Sequence, residues 1–117
     1  MKNSNTLMDN MKKALMEMIL LKFLSKREMH INAVIDLISA YSEDRINVVF
    51  PYGAIYRLLD CGYIIESRKM IVDGRRRQLY EITDKGREHL KKLEEDYGMF
   101  TTGLNSIYHN LNEKDYE

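Results

Sequence analysis

The chain has one cysteine, one proline, no tryptophan and only six glycines in 117 residues. A single thiol, Cys61, excludes an internal disulfide framework and fits a reducing compartment. So few breakers leave little room for long structureless loops, and the long stretches free of them point to helices. No apolar run is long enough to span a bilayer. The first, beginning at Leu7, is interrupted by Lys12, Lys13, Glu17 and Lys22. Those charges exclude a membrane-crossing helix, and the lack of a small-residue cleavage pattern speaks against a secretory leader. The expectation is a cytoplasmic protein with no membrane partner. Its 44% hydrophobic and 31% charged content is that of an ordinary globular domain with one core.

Charge of one sign is also lacking: 18 basic side chains face 18 acidic ones. Taken alone, that balance argues against a nucleic-acid partner. The average conceals a gradient. Residues 1–44 hold six of each sign, residues 45–92 eleven basic against six acidic, and residues 93–117 one basic against six acidic. A neutral chain with a basic middle and an acidic end can still present a basic surface to phosphate.

What is present is apolar periodicity. From Leu7 to about Ser25, Leu7, Met11, Ala14, Met18 and Leu21 form one helical stripe. Met8, Leu15, Ile19, Leu20, Phe23 and Leu24 widen it, so this helix needs cover on more than one side. Methionines filling an irregular core and a face for a partner chain are both consistent with that pattern. Glu28 to about Tyr41 reads as a second helix, with Ile31, Val34, Ile35 and Ile38 inward, closed by Ser42, Glu43 and Asp44. A third follows, with Pro51 in its first turn, Ile55, Leu58 and Leu59 facing the core, and Gly62 at its stop. Two strand-like runs come next, Tyr63 to Val72 and Arg76 to Thr83, separated by Asp73-Gly74, which suits a type I′ hairpin turn. The turn is followed directly by Arg75, Arg76 and Arg77. Three helices and then a basic hairpin is the order of a winged helix-turn-helix.

Thr83-Asp84 caps a last helix. Along it Leu90, Leu93, Tyr97, Phe100, Leu104, Ile107 and Leu111 alternate spacings of three and four, a coiled-coil-like seam. Gly98, Thr101, Thr102 and Gly103 are poor helix formers, yet the unbroken register favours one long helix over two short ones. A seam in the last element of a small domain has little of its own chain left to cover it, which points to a homodimer. The predicted class is therefore mainly α with a small β-hairpin: a winged helix-turn-helix followed by a long C-terminal dimerisation helix. Residues 1–83 make up the winged-helix part with the N-terminal helix. Residues 84–117 make up the dimerisation helix and acidic tail, and the two form one compact unit. Met8, Met11 and Leu15 on the first helix, with Leu90, Leu93, Tyr97, Phe100, Leu104, Ile107 and Leu111 on the last, are the candidate dimer contacts.

Several motifs resemble those of the PadR family. The run Arg76-Arg77-Gln78-Leu79-Tyr80-Glu81-Ile82-Thr83-Asp84-Lys85-Gly86-Arg87 is similar to that family's wing and exit, Arg-Lys-x-Tyr-x-Ile-Thr-x-x-Gly-Arg. Leu20 to Leu24 before Met29-His30 resembles its first helix leading into a His-Gly-Tyr motif. Tyr52, Ile55, Leu58, Gly62, Tyr63 and Ile64 fall on its Tyr-x-x-Leu-x-x-Leu-x-x-x-Gly-Leu-Ile pattern. The likeness covers about residues 12–97, and the C-terminal part resembles the subfamily with a single dimerisation helix. The chain departs from the pattern at Ile31, Asn32 and Ala33 after the histidine. It departs again at Val49, Phe50 and Pro51, where the third helix begins.

The resemblance implies a dimeric DNA-binding transcriptional regulator of the repressor type on a pseudo-palindromic operator. From the residues themselves, the DNA-binding candidates are Tyr52, Tyr56 and Arg57 on the third helix, with Lys69, Arg75, Arg76 and Arg77 on the wing. Arginine and lysine neutralise phosphate and release counterions. Tyr52 occupies the family's tyrosine position, which implies a phosphate contact; packing against the hairpin is its other role. If the first and last helices of two chains pack together, Met11, Leu15, Met18, Tyr97 and Phe100 are the candidate lining of a shared pocket at the dimer interface for a small apolar or aromatic effector, or else part of a closed dimer core. A protein–protein interaction module without specific DNA binding is the alternative, drawn from the overall neutrality, the altered helix start and the acidic tail. An enzyme is not expected. His30, His89 and His109 are scattered, with no metal-binding spacing, and His89 and His109 fall on a polar helix surface. Cys61 reads as a small buried thiol, and no cofactor or metal is implied.

Overall fold

The computed structural model describes residues 6–49 and 51–113. Four helices and three strands follow one another as α1 (Leu7–Leu24), β1 (Met29–His30), α2 (Ile31–Tyr41), α3 (Tyr52–Asp60), β2 (Ile64–Val72), β3 (Arg75–Ile82) and α4 (Asp84–Glu113). The strands form one antiparallel sheet in the order β1-β3-β2. This is the winged-helix arrangement expected from the element order.

Local chemistry sets each boundary. Thr6 caps α1, its hydroxyl accepting from the Asp9 amide at 3.1 Å. α3 ends in a Schellman motif: Gly62 takes φ +77°, its amide donates to Leu59 and the Tyr63 amide to Leu58. At the hairpin Asp73 and Gly74 both have positive φ, 52° and 76°, as a type I′ turn requires. The Thr83 hydroxyl donates to the Gly62 carbonyl at 2.7 Å and accepts from the Gly86 amide at 3.0 Å. One side chain thus caps α4 and ties its start to the end of α3.

The core joins every element. Leu20, Leu21 and Leu24 of α1 meet Val34 and Ile38 of α2, Ile55 and Leu58 of α3, Ile64 of β2, Ile82 of β3 and Leu90 of α4. Burial of each such side chain contributes about 1.5–3 kcal/mol before chain entropy is charged against it. Gln78 braces the wing from within, its amide nitrogen donating to the carbonyls of Arg68 (3.2 Å) and Leu79 (2.9 Å).

The structure corrects several details. The second helix begins at Ile31, not Glu28, because Met29 and His30 pair with Tyr80 and Leu79 as a short third strand. The hairpin is thereby anchored to the helical body. Pro51 sits immediately before α3, outside its first turn. Of the stripe read along α1, only Leu21 is buried, while Met16, off that stripe, is in the core. His89 does not lie on a polar surface: its ring stacks on Tyr63 at 4.0 Å between centroids. Cys61 is half-buried at the end of α3. Gly98 and Gly103 lie inside an unbroken 30-residue helix. Phe50, and the last residues of the acidic tail from 114 to 117, fall outside the described residues.

Candidate functional site

The exposed side of α3 and the wing carry most of the candidate DNA contacts. Tyr52 and Tyr56 project from α3 with ring centroids 6.4 Å apart. Arg75 and Arg76 are exposed just after the hairpin turn, and Lys69 is exposed on β2, where it pairs in register with Gln78. Arg77 differs from its neighbours. It is half-buried, and with the Asn32 amide turned so that its oxygen faces the guanidinium, that oxygen accepts from Nη1 at 3.1 Å and Nη2 at 3.0 Å.

The start of α3 and the wing meet at one recess of about 150 Å³, lined by His30, Ile31, Asn32, Tyr52, Arg76, Arg77, Gln78 and Tyr80. Among the described residues no carboxylate lines it. Among the described residues no carboxylate oxygen lies within ion-pair distance of Arg75, Arg76, Arg77 or Lys69. Burial, and then the Arg77 charge, hold the His30 imidazole below its ordinary pKa. Burial, followed by Glu66, Tyr56 and Tyr52, pushes the Tyr80 phenol up. His30 Nδ1 and Arg77 Nε are buried and have no hydrogen-bond partner among the described residues.

Arg57 is not part of this recess. Its guanidinium donates to the Glu17 carboxylate of α1, and Nη1 lies 4.0 Å from Cys61 Sγ. It lines a separate cavity of about 480 Å³ between α1 and α3, together with Lys12, Lys13 and Asn47. His30, Ile31, Asn32, Gln78 and Tyr80 are the recess residues that the sequence did not single out for binding. His30, Ile31 and Asn32 carry no such signal along the chain, since the β1–β3 pairing brings them to the wing.

A second feature lies between α1 and α4. Met11, Leu15, Met18, Tyr97 and Phe100 all line one groove of about 550 Å³ between α1 and α4, with Ala14, Leu93 and Leu104. The α4 seam divides in two. Leu90 belongs to the chain's own core and Leu93 packs against it. From Tyr97 onward the seam is open: Phe100 is 71% exposed, Ile107 55% and Leu111 58%, with Met8 and Met11 of α1 also exposed. An apolar strip of that length is more than a small monomeric surface ordinarily exposes.

Among the described residues no group of three or more His, Cys, Asp or Glu side chains could hold a metal ion. No helix there is long and apolar enough to cross a membrane.

Residues 20–92 match the family described as the transcriptional regulator PadR-like family. Solved structures share the fold. A transcriptional regulator from Clostridium thermocellum superposes with a TM-score of 0.75 at 20% identity, over 83% of this chain and 96% of that one. A PadR-like transcriptional regulator from Bacillus cereus gives 0.70 at 24% identity, over 85% and 96%. A PadR family transcriptional regulator from Eggerthella lenta gives 0.72 at 17% identity, over 85% and 86%. None of the curated proteins compared with the chain matches it. With the family matched from the end of α1 into the first part of α4 on a winged-helix fold, the chain belongs to the PadR-like family of transcriptional regulators, winged-helix DNA-binding proteins and not enzymes.

Proposed function

We propose that the protein is a homodimeric repressor that binds a pseudo-palindromic operator through α3 and the basic wing, and that a small apolar or aromatic effector in the α1–α4 groove relieves repression. The observation that carries the DNA-binding reading is the recess at which Tyr52 of α3 meets Arg76 and Arg77 of the wing with no carboxylate among its lining residues. In a winged helix that junction faces the duplex, with α3 in the major groove and the wing on the flanking backbone. Tyr52, Tyr56, Lys69, Arg75, Arg76 and Arg77 supply the contacts. Arg57 joins them only by exchanging Glu17 for phosphate. The dimer reading is supported by the exposed run from Tyr97 to Leu111, and the effector reading by the apolar groove that Met11, Leu15, Met18, Tyr97 and Phe100 share.

A gel-shift assay with the DNA upstream of the protein's own gene tests the reading. Binding that weakens steeply with salt supports it. Absence of binding at low salt, with the dimer intact on a sizing column, rejects it. The alternative of a protein–protein module would then stand, supported by the Arg57–Glu17 pair, which neutralises the one basic side chain on α3. A DNA complex that small apolar or aromatic compounds dissociate supports the effector reading, and indifference to all of them removes it.

A further inference from the structure

We propose that the recess between the wing and the start of α2 seats a single backbone phosphate of the bound duplex, with Arg76 and Arg77 as its cations and Asn32 as the residue that positions Arg77. The inference rests on the DNA-binding reading above.

Size is the first argument. A volume of about 150 Å³ is that of about five waters, enough for one tetrahedral phosphate. The lining is the second. Arg76, Arg77, Tyr52 and His30 line a space that no carboxylate among the described residues lines. Gln78 is not a donor to this space, because its amide nitrogen is engaged by the carbonyls of Arg68 and Leu79.

Arg77 is the third and most specific argument. A guanidinium carries five N–H donors in a fixed fork. Asn32 accepts from Nη1 and Nη2, while the Nε–H is buried without a partner. A half-buried cation held by a neutral amide, with no carboxylate within ion-pair distance among the described residues, is an arrangement that an incoming anion stabilises. Asparagine orients the fork and leaves its charge uncancelled. An aspartate of the same shape would orient it equally well and cancel the charge. Arg75, at the exposed tip, has no such support and follows the backbone as a mobile charge.

Two measurements test this. In the first, the protein binds duplexes whose phosphates are replaced one at a time by neutral methylphosphonates. Wild type should lose about tenfold or more in affinity at one phosphate per half-site, the order of a charge-assisted hydrogen bond. Asn32→Asp and Arg77→Ala should bind weaker by a similar factor, become indifferent to that one replacement, and show a salt slope lower by about 0.9 per protomer. Arg75→Ala should keep the sensitivity. A purely structural role for Asn32 would leave Asn32→Asp with the wild-type pattern, which overturns the proposal while the DNA-binding reading stands. In the second, inorganic phosphate is titrated into labelled full-length protein. Saturable shifts at the amides of residues 31 to 33, lost in Arg77→Ala, support the seat even if no duplex binds. Their absence overturns it.

Discussion

Gly86 lies so close to Tyr63 that a Cβ built on the glycine would stand 2.0 Å from the Tyr63 carbonyl oxygen and 2.8 Å from a side-chain carbon of Ile82. The first turn of α4 therefore packs directly on the backbone at the start of the wing, where Thr83 also bonds Gly62. Backbone cannot yield as a side-chain tip can. Gly86→Ala should cost about 3 kcal/mol, as overpacking in a closed site does, and lower the melting temperature by roughly 10 °C for a chain of this size. Thermal unfolding of variant and wild type at equal protein concentration checks it; a change under 2 °C would show that α4 can shift without loss.

Glu28 ties the segment before β1 to the wing. Its carboxylate accepts from the Ser67 hydroxyl at 2.7 Å and from Arg68 Nε at 2.9 Å, and these bonds hold its pKa below the ordinary 4.5. A lowered carboxylate stabilises the fold above its unfolded-state value, and the contribution is lost as pH falls through the folded-state value. Glu28→Gln should therefore be less stable than wild type near neutrality, and the gap should close on acidification below about 4.5. Urea midpoints across that range decide it. A gap of constant size would mean that the carboxylate charge plays no part.

His30 works in the opposite protonation sense. Its imidazole is held below the ordinary 6.5 by burial and by Arg77, so the unfolded chain takes up its proton first. The contribution to stability is present above 6.5 and is lost as pH falls from there through the lower folded-state value. His30→Gln should remove that part of the acid sensitivity. Denaturation curves of both proteins between neutrality and pH 5 provide the comparison, and parallel losses in the two would refute the assignment.

The apolar seam gives a prediction about assembly. Phe100→Asp with Leu104→Asp places two charges on the open part of α4, at positions 71% and 40% exposed in the single chain. The double variant should elute as a folded monomer with its helical content retained. The choice avoids Leu90 and Leu93, which serve the chain's own core and whose loss would unfold it. A dimer that persists through both changes would place the interface elsewhere.

Much of the fold was legible from local chemistry. Asp73-Gly74 announced the hairpin because few dipeptides tolerate positive φ at both positions. The three-and-four spacing along α4 outweighed two glycines because periodic burial decides a helix more than propensity does. The groove was not: the spacing set Met11, Leu15, Met18, Tyr97 and Phe100 on two helices, and only the packing of α1 on α4 lines one groove with all five within a single chain. What failed was pairing at a distance. Met29 and His30 look like helix in their own neighbourhood and become strand only because β3 offers them partners nearly fifty residues away.

The sequence by itself thus determined the element order, the hairpin turn, the long last helix and a basic middle within a neutral chain. These are properties of neighbours along the chain, set by backbone sterics, capping and periodicity. Only the tertiary structure decided which arginine does what. Arg57, Arg75, Arg76 and Arg77 are chemically alike in the sequence. Yet one is paired with Glu17, one is solvated at the tip, one faces the recess and one is locked on Asn32. A side chain's charge is written in its residue type, but its partners depend on which surfaces the core brings together, and that core is assembled from every element at once.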